Sequence, residues 1–145
     1  EQLVHDSDFA LRDESPLRQR YAVHGSAVDV VAECRWTASH FLTLMADAVP
    51  ELSAPLLVAA EYYRREYSLM LRIWSFVGGR SNAEAHVRFA DPAVRRRIAG
   101  IISSARDADA RAAGMINQAV NAQITRRERQ GKSAVDSSRM PPSRG

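Results

Sequence analysis

Between Val94 and Ala122 the apolar residues recur at spacings that alternate four and three: Val94, Ile98, Ile101, Ala105, Ala108, Ala112, Met115, Ala119 and Ala122. An α-helix turns once every 3.6 residues, so this order puts them all on one face over four heptads. A strand, with its period of two, would scatter them over both faces. Asp91 and Pro92 supply a cap and a first helical position ahead of the pattern, which predicts a helix over 92–129. The seam is rich in alanine, so a neighbouring backbone can come close. Asp107 and Arg111, four apart, support the solvent face.

Two further stretches carry helical spacing. In "GSAVDVVAECRWTASHFLTLMADAVP", Ser26 and Asp29 read as a capping box, and Ala27, Val30, Val31, Cys34, Ala38, Phe41, Leu42, Met45 and Val49 read as one apolar face. This predicts a helix over 27–48, ended by Pro50. The link from Val49 to Leu52 is short enough to force an antiparallel neighbour. Ser53 reads as the cap of the next helix, over 54–77, with Pro55 in its first turn. Leu56, Ala60, Tyr63, Tyr67, Met70, Trp74 and Val77 form its stripe, and Gly78-Gly79 stops it. Shorter helices are expected from Pro16 to Val23, stopped by Gly25, and over 83–89. No stretch alternates with a period of two.

The expected fold is therefore all-α: an antiparallel bundle of three principal helices with short accessory helices and a disordered, basic C-terminal tail. Residues 1–130 read as one domain, of which 1–25 are loosely structured. The end, "GKSAVDSSRMPPSRG", combines Ser, Pro, Gly and basic residues without apolar pattern, so 131–145 is expected to stay disordered.

A chain of 145 residues suffices for one core without staples, and no apolar run reaches the roughly 18–20 residues that cross a bilayer. The sequence opens on Glu1 with no signal-peptide order, as expected of a trimmed or excised chain. Its one cysteine, Cys34, falls within an apolar helical pattern and reads as a buried structural thiol, which points to a reducing, cytoplasmic compartment. Charge is uneven. Residues 1–90 hold 9 arginines against 12 acids, whereas residues 91–145 hold 11 basic residues against 5 acids.

The motifs that carry chemistry in helical bundles are missing. A carboxylate-bridged metal pair needs Glu-x-x-His on facing helices, and no such spacing occurs after Glu33, Glu61, Glu66 or Glu84. Glu33 and His40 share a face with Asp29, Trp36 and Asp47 that reads as solvated. "VGGRSN" follows a helix and matches no phosphate-binding loop. No metal and no cofactor are expected. Glu66 is the exception to the general blandness: in "EYYRREYSLML" it falls where the helical repeat would place an apolar residue, so it must be paired or neutralised if enclosed. Glu61, by contrast, reads as a surface partner of Arg65.

The leading expectation is a non-enzymatic bundle that self-associates or docks on a partner protein through its long third helix. Helix 92–129 spans roughly 57 Å against roughly 36 Å for 54–77, yet Met115, Ile116, Ala119, Val120 and Ile124 carry apolar character past that difference. A homodimer is the expected form. A second expectation is an enzyme or ligand-binding domain with a pocket lined by Trp36, Tyr62, Tyr63, Glu66, Tyr67 and Trp74. A third is a nucleic-acid-associated protein that uses its basic C-terminal segment, with "VRRRI" and "TRRER" as phosphate contacts. No association with a membrane is expected.

Overall fold

The computed structural model describes the backbone of residues 14–138 and the side chains of residues 16–130. The described chain is all-α. Helix α1 covers Glu14–Ala48, a 3-10 turn Pro50–Leu52 follows, and then come α2, Ser53–Phe76, the short α3, Ala85–Ala90, and α4, Pro92–Ser138. No strand occurs among the described residues, and no helix among them is long and apolar enough to cross a membrane.

Helix α2 is the central element and packs closely against both α1 and α4, whereas the backbones of α1 and α4 scarcely approach each other. Two core clusters follow its length. Near its start, Leu56, Ala59 and Ala60 meet Leu42 and Ala46 from the end of α1 and Ala112 and Ala119 from α4. Near its end, Met70, Ile73 and Val77 meet Leu17 and Ala32 of α1, Phe89 of α3, and Ile98 and Ala105 of α4. Small side chains at the first cluster set α2 and α4 close together, as the alanine seam implied.

The expected stops and starts hold where the backbone itself demands them. Gly78 and Gly79 take φ of +86° and +100°, the left-handed region open to glycine, and α2 ends at Phe76. Asp91 caps α4 by accepting a 2.7 Å hydrogen bond from the Ala93 amide. Ser53 is instead the first residue of α2 and makes no cap; the 3-10 turn leads directly into the helix.

Helix α1 departs most from expectation. It begins at Glu14 and runs unbroken through Gly25, so residues 14–25 are helical and not loosely structured; residues 1–13 lie outside the described residues. Tertiary packing overrides the glycine. A β-carbon at Gly25 would lie 2.8 Å from Cη2 of Trp74, so the missing side chain is what lets the indole pack there. Ser26 and Asp29 form no cap in mid-helix, and Asp29 accepts a hydrogen bond from Trp74 Nε1 at 3.2 Å. The inward line of α1 is Leu17, Tyr21, Gly25, Val28, Ala32, Arg35, Ser39, Leu42 and Ala46, all buried or half-buried. Ala27, Val30, Cys34 and Phe41 are exposed, and the cysteine is thus not a buried thiol.

Helix α4 continues to Ser138, nine residues beyond the expected end at 129. Residues 131–138 therefore extend a helix where disorder was expected. No proline interrupts this stretch before Pro141, but of its residues only Lys132 and Ala134 are strong helix formers, so the helix here extends the turns before it and does not follow from local propensity. The rest of the expected tail, 139–145, lies outside the described residues.

Candidate functional site

Glu66 occupies a core position of α2, between Ala59 and Tyr63 on one side and Met70 and Ile73 on the other, and only 4% of its surface is exposed. A buried carboxylate needs a partner. Arg35, on the facing line of α1, supplies it: Nε donates to Oε2 of Glu66 at 2.9 Å, and Nη2 lies 2.9 Å from Oδ1 of Asp109 on α4. The guanidinium also sits 5.1 Å from the centroid of the Tyr63 ring. One cation thus serves two carboxylates from two other helices.

The protonation energetics follow from this count. Burial pushes the Glu66 carboxyl above its ordinary range, Arg35 pulls it back, and Asp109 pushes it up again, with a net rise. Burial likewise raises the Tyr63 phenol, with Asp109 adding to the rise and Arg35 opposing it. Burial alone would lower Arg35, but Glu66 and Asp109 together hold it above its ordinary value. The 2.9 Å contact and the doubly stabilised guanidinium mark an ion pair. Glu66 lines neither of the two cavities described below, and the arrangement joins the three long helices.

The first cavity, of about 180 Å³, lies where α1 and α4 diverge over the end of α2. Its walls include Tyr21, Val28, Ile73, Trp74, Phe89 and Ile98, and its mouth is edged by the exposed residues His24, Ala27 and Ile102. Tyr21 sets its ring edge-on to Trp74 at 6.2 Å and to Phe89 at 5.8 Å. Its hydroxyl is buried without a hydrogen-bond partner, and burial, followed by the charge of Asp29, raises its pKa. The second is a polar cleft of about 110 Å³ between Tyr62 and Arg65 of α2 and Ser104, Asp107 and Arg111 of α4.

The structure disperses the pocket expected between helices one and two. Trp74 belongs to the apolar cavity and Tyr62 to the polar cleft. Tyr63 and Glu66 join the arginine node. Trp36 and Tyr67 stack at 5.1 Å near the surface, with His40 at 4.1 Å from the Trp36 ring. Of the stripe expected to form an interface on α4, Ala119 is buried and Met115 and Ile116 pack against the Leu42–Leu56 cluster, which leaves Val120 and Ile124 half exposed. Arg126 pairs with Glu51 at 2.6 Å, tying α4 to the 3-10 turn.

The sequence reading missed Arg35, Asp109 and Tyr21. Arg35 had a signal: counted from Leu17 in steps of four and three, it falls on the inward line of α1. Tyr21 and Phe89 had none, since each comes from a segment with little apolar pattern. Among the described residues no group of three or more His, Cys, Asp or Glu side chains is placed to hold a metal ion. Comparison with protein families, with curated proteins and with solved structures finds no match to this chain.

Proposed function

We propose that the chain is a non-enzymatic interaction module, an antiparallel bundle of three long helices that associates through apolar helix faces its own core leaves uncovered. The observation that carries this reading is the outward face of α1. Val30, Phe41 and Leu44 are 60%, 59% and 68% exposed, and they lie on the side of the helix away from α2. Single exposed apolar residues are ordinary, but a continuous row marks an interaction surface. Val120 and Ile124 of α4 add a smaller patch, so the reading moves the centre of association from the third long helix to the first. Sedimentation equilibrium of the full chain over a wide concentration range, with affinity capture at low concentration, tests it. A concentration-dependent mass or a stoichiometric protein partner is expected. A monomer at every concentration with nothing captured overturns it.

A second reading rests on the cavity beside Tyr21 and Trp74. A dry apolar cavity of about 150 Å³ accommodates a benzene-sized molecule, and this one is slightly larger. The Trp74 N–H already donates to Asp29, which leaves the Tyr21 hydroxyl to choose among ligands. A monocyclic aromatic with one hydrogen-bonding group, such as phenol, fits those walls. Titration with phenol and with benzene, followed by tryptophan fluorescence, tests this. Tyr21→Phe is expected to erase a preference for phenol, and absence of saturable binding by either compound removes the reading.

A further inference from the structure

The exposed face of α1 has a register. Val23, Ala27, Val30, Cys34, Thr37, Phe41, Leu44 and Ala48 alternate spacings of four and three, and every one of these residues is exposed. They are the first and fourth positions of a heptad repeat, the seam of a two-helix coiled coil. The inward line from Gly25 to Ala46 occupies the positions diametrically opposite, so α1 is apolar on two sides and its own bundle covers one. From Val23 to Ala48 the seam measures about 38 Å at a rise of 1.5 Å per residue.

We propose that the occupant of this seam is a second copy of the chain, paired antiparallel about a two-fold axis that passes between Cys34 and Thr37. This rests on the interaction-module reading and names its partner. Size complementarity selects the arrangement. About that axis Cys34 faces the partner's Thr37, Val30 faces the partner's Phe41, Ala27 faces the partner's Leu44, and Val23 faces the partner's Ala48. Large and small side chains then share layers, as close packing requires. Parallel, in-register pairing would set Phe41 on the partner's Phe41 and Ala27 on the partner's Ala27, leaving one crowded layer and one hollow one.

Hydrogen bonding selects the same arrangement. The seam is flanked on one side by Ser26, Glu33, His40 and Asp47, all exposed, and on the other by the half-buried apolar residues Val31, Ala38 and Met45. Antiparallel pairing brings like flanks together, so Glu33 meets the partner's His40 twice across the axis, and the apolar flanks meet each other. Parallel pairing would set Glu33 against the partner's Ala38 and His40 against the partner's Met45, leaving both polar side chains against apolar ones. The α1 side chains that meet α2 and α4, among them Ala32, Arg35, Leu42 and Ala46, belong to the inward line and not to the seam.

The size of the contact sets its strength. A strip about 38 Å long and about 10–12 Å wide covers roughly 400 Å² per chain before the flanks are counted. The total of roughly 800 Å² lies below the range of stable specific interfaces, in the size class of weak, transient contacts. The dimer is accordingly expected to exchange and to dissociate on dilution through the micromolar range.

Pairwise oxidation reads the register. Two variants are made, Ala27→Cys with Cys34→Ser and Leu44→Cys with Cys34→Ser, each carrying one thiol at an exposed position. Under mild oxidation of the reduced chains each alone is expected to remain largely monomeric, and their mixture to give a disulfide-linked dimer containing one of each. In sedimentation, Phe41→Asp is expected to weaken wild-type association on the order of thirtyfold, with the helical circular dichroism unchanged. Cross-linking within each variant alone would mean parallel pairing and overturns the register. A wild-type dimer that Phe41→Asp leaves intact, while Val120→Asp with Ile124→Asp dissociates it, places the contact on α4: the proposal falls and the interaction-module reading stands. A wild type that is monomeric at all concentrations overturns the proposal as well. In that case, capture of a different protein through this face keeps the module reading, and no capture removes both.

Discussion

Arg35 on α1 donates from Nε to Oε2 of Glu66 on α2 at 2.9 Å, and its second arm reaches Asp109 on α4. A single guanidinium therefore joins all three long helices, at positions of α1 and α2 that would otherwise carry apolar residues. Such a pair contributes little net stability compared with a well-packed apolar replacement, because both ions are desolvated; breaking it from one side is the costly change. Arg35→Ala is expected to destabilise the fold by about 2–4 kcal/mol, toward the lower part of the usual range because the arginine retains some exposure. Arg35→Leu combined with Glu66→Leu is expected to lose much less than the sum of the two single changes. Urea midpoints at fixed slope measure all three, and additivity would show that the groups do not act as a unit. Glu61→Gln serves as the exposed control. Its carboxylate pairs with Arg64 three residues on rather than with Arg65, and a change within about 0.5 kcal/mol is expected.

The same node sets a pH dependence. Glu66 is raised above its ordinary value of 4.5, chiefly by burial. Between the unfolded and folded pKa values the native chain holds a proton that the unfolded chain has lost, so the contribution of Glu66 to stability is greatest below 4.5 and is lost as pH rises through the folded value. The difference in unfolding free energy, wild type minus Glu66→Gln, is expected to fall as pH rises above 4.5 and to level once pH has passed the folded value. A difference that rises with pH over that window would mean that Arg35 outweighs burial.

Two helical glycines are expected to respond oppositely to alanine. Helix propensity alone favours alanine by about 1 kcal/mol. At Gly114 of α4 a β-carbon meets nothing within 4 Å, so Gly114→Ala is expected to stabilise by about 0.5–1 kcal/mol. At Gly25 the new carbon would press on the Trp74 ring at 2.8 Å, and the indole is held by its hydrogen bond to Asp29 and by the Tyr21 ring. Gly25→Ala is expected to cancel the propensity gain or reverse it. Thermal midpoints of the two variants decide the matter, and equal stabilisation would show that Trp74 moves aside freely.

These relationships explain what the sequence made legible. Helix α4 was readable because its inward seam from Ile98 through Ala119 is apolar throughout, and the ends of α2 and α4 were readable because Gly78-Gly79 and Asp91-Pro92 act through local backbone geometry. Helix α1 was misread because its inward line contains Arg35 and Ser39, which are admissible only once their partners are known: Glu66 and Asp109 for the arginine, the Trp36 carbonyl at 2.7 Å for the serine. Its outward row of Val30, Cys34 and Phe41 looked more like a core than the core did. Glu66 announced itself by breaking the pattern of α2, but its partner lay 31 positions away in sequence. The apolar cavity was illegible for a related reason, since Tyr21 and Phe89 acquire meaning only when α1 and α3 converge on Trp74.

The alanines between α2 and α4 provide the last test. Ala59, Ala60 and Ala112 have no exposed surface and share one cluster with Leu42, Leu56 and Ala119. Their small size sets the separation of two long helices, so a larger side chain cannot be absorbed by a rotamer change at a single site. The helices must part along their length, which also strains the contact of Arg35 with Asp109 one turn before Ala112. Ala112→Leu is therefore expected to cost about 2–3 kcal/mol, at the upper end of overpacking losses, even though leucine is a good helix former. Ala113→Leu, one position round the helix and exposed, is expected to change stability by no more than about 0.5 kcal/mol. Chemical denaturation of the pair, read by circular dichroism, checks the contrast. Equal tolerance at both positions would mean that α4 does not pack on α2 through this seam.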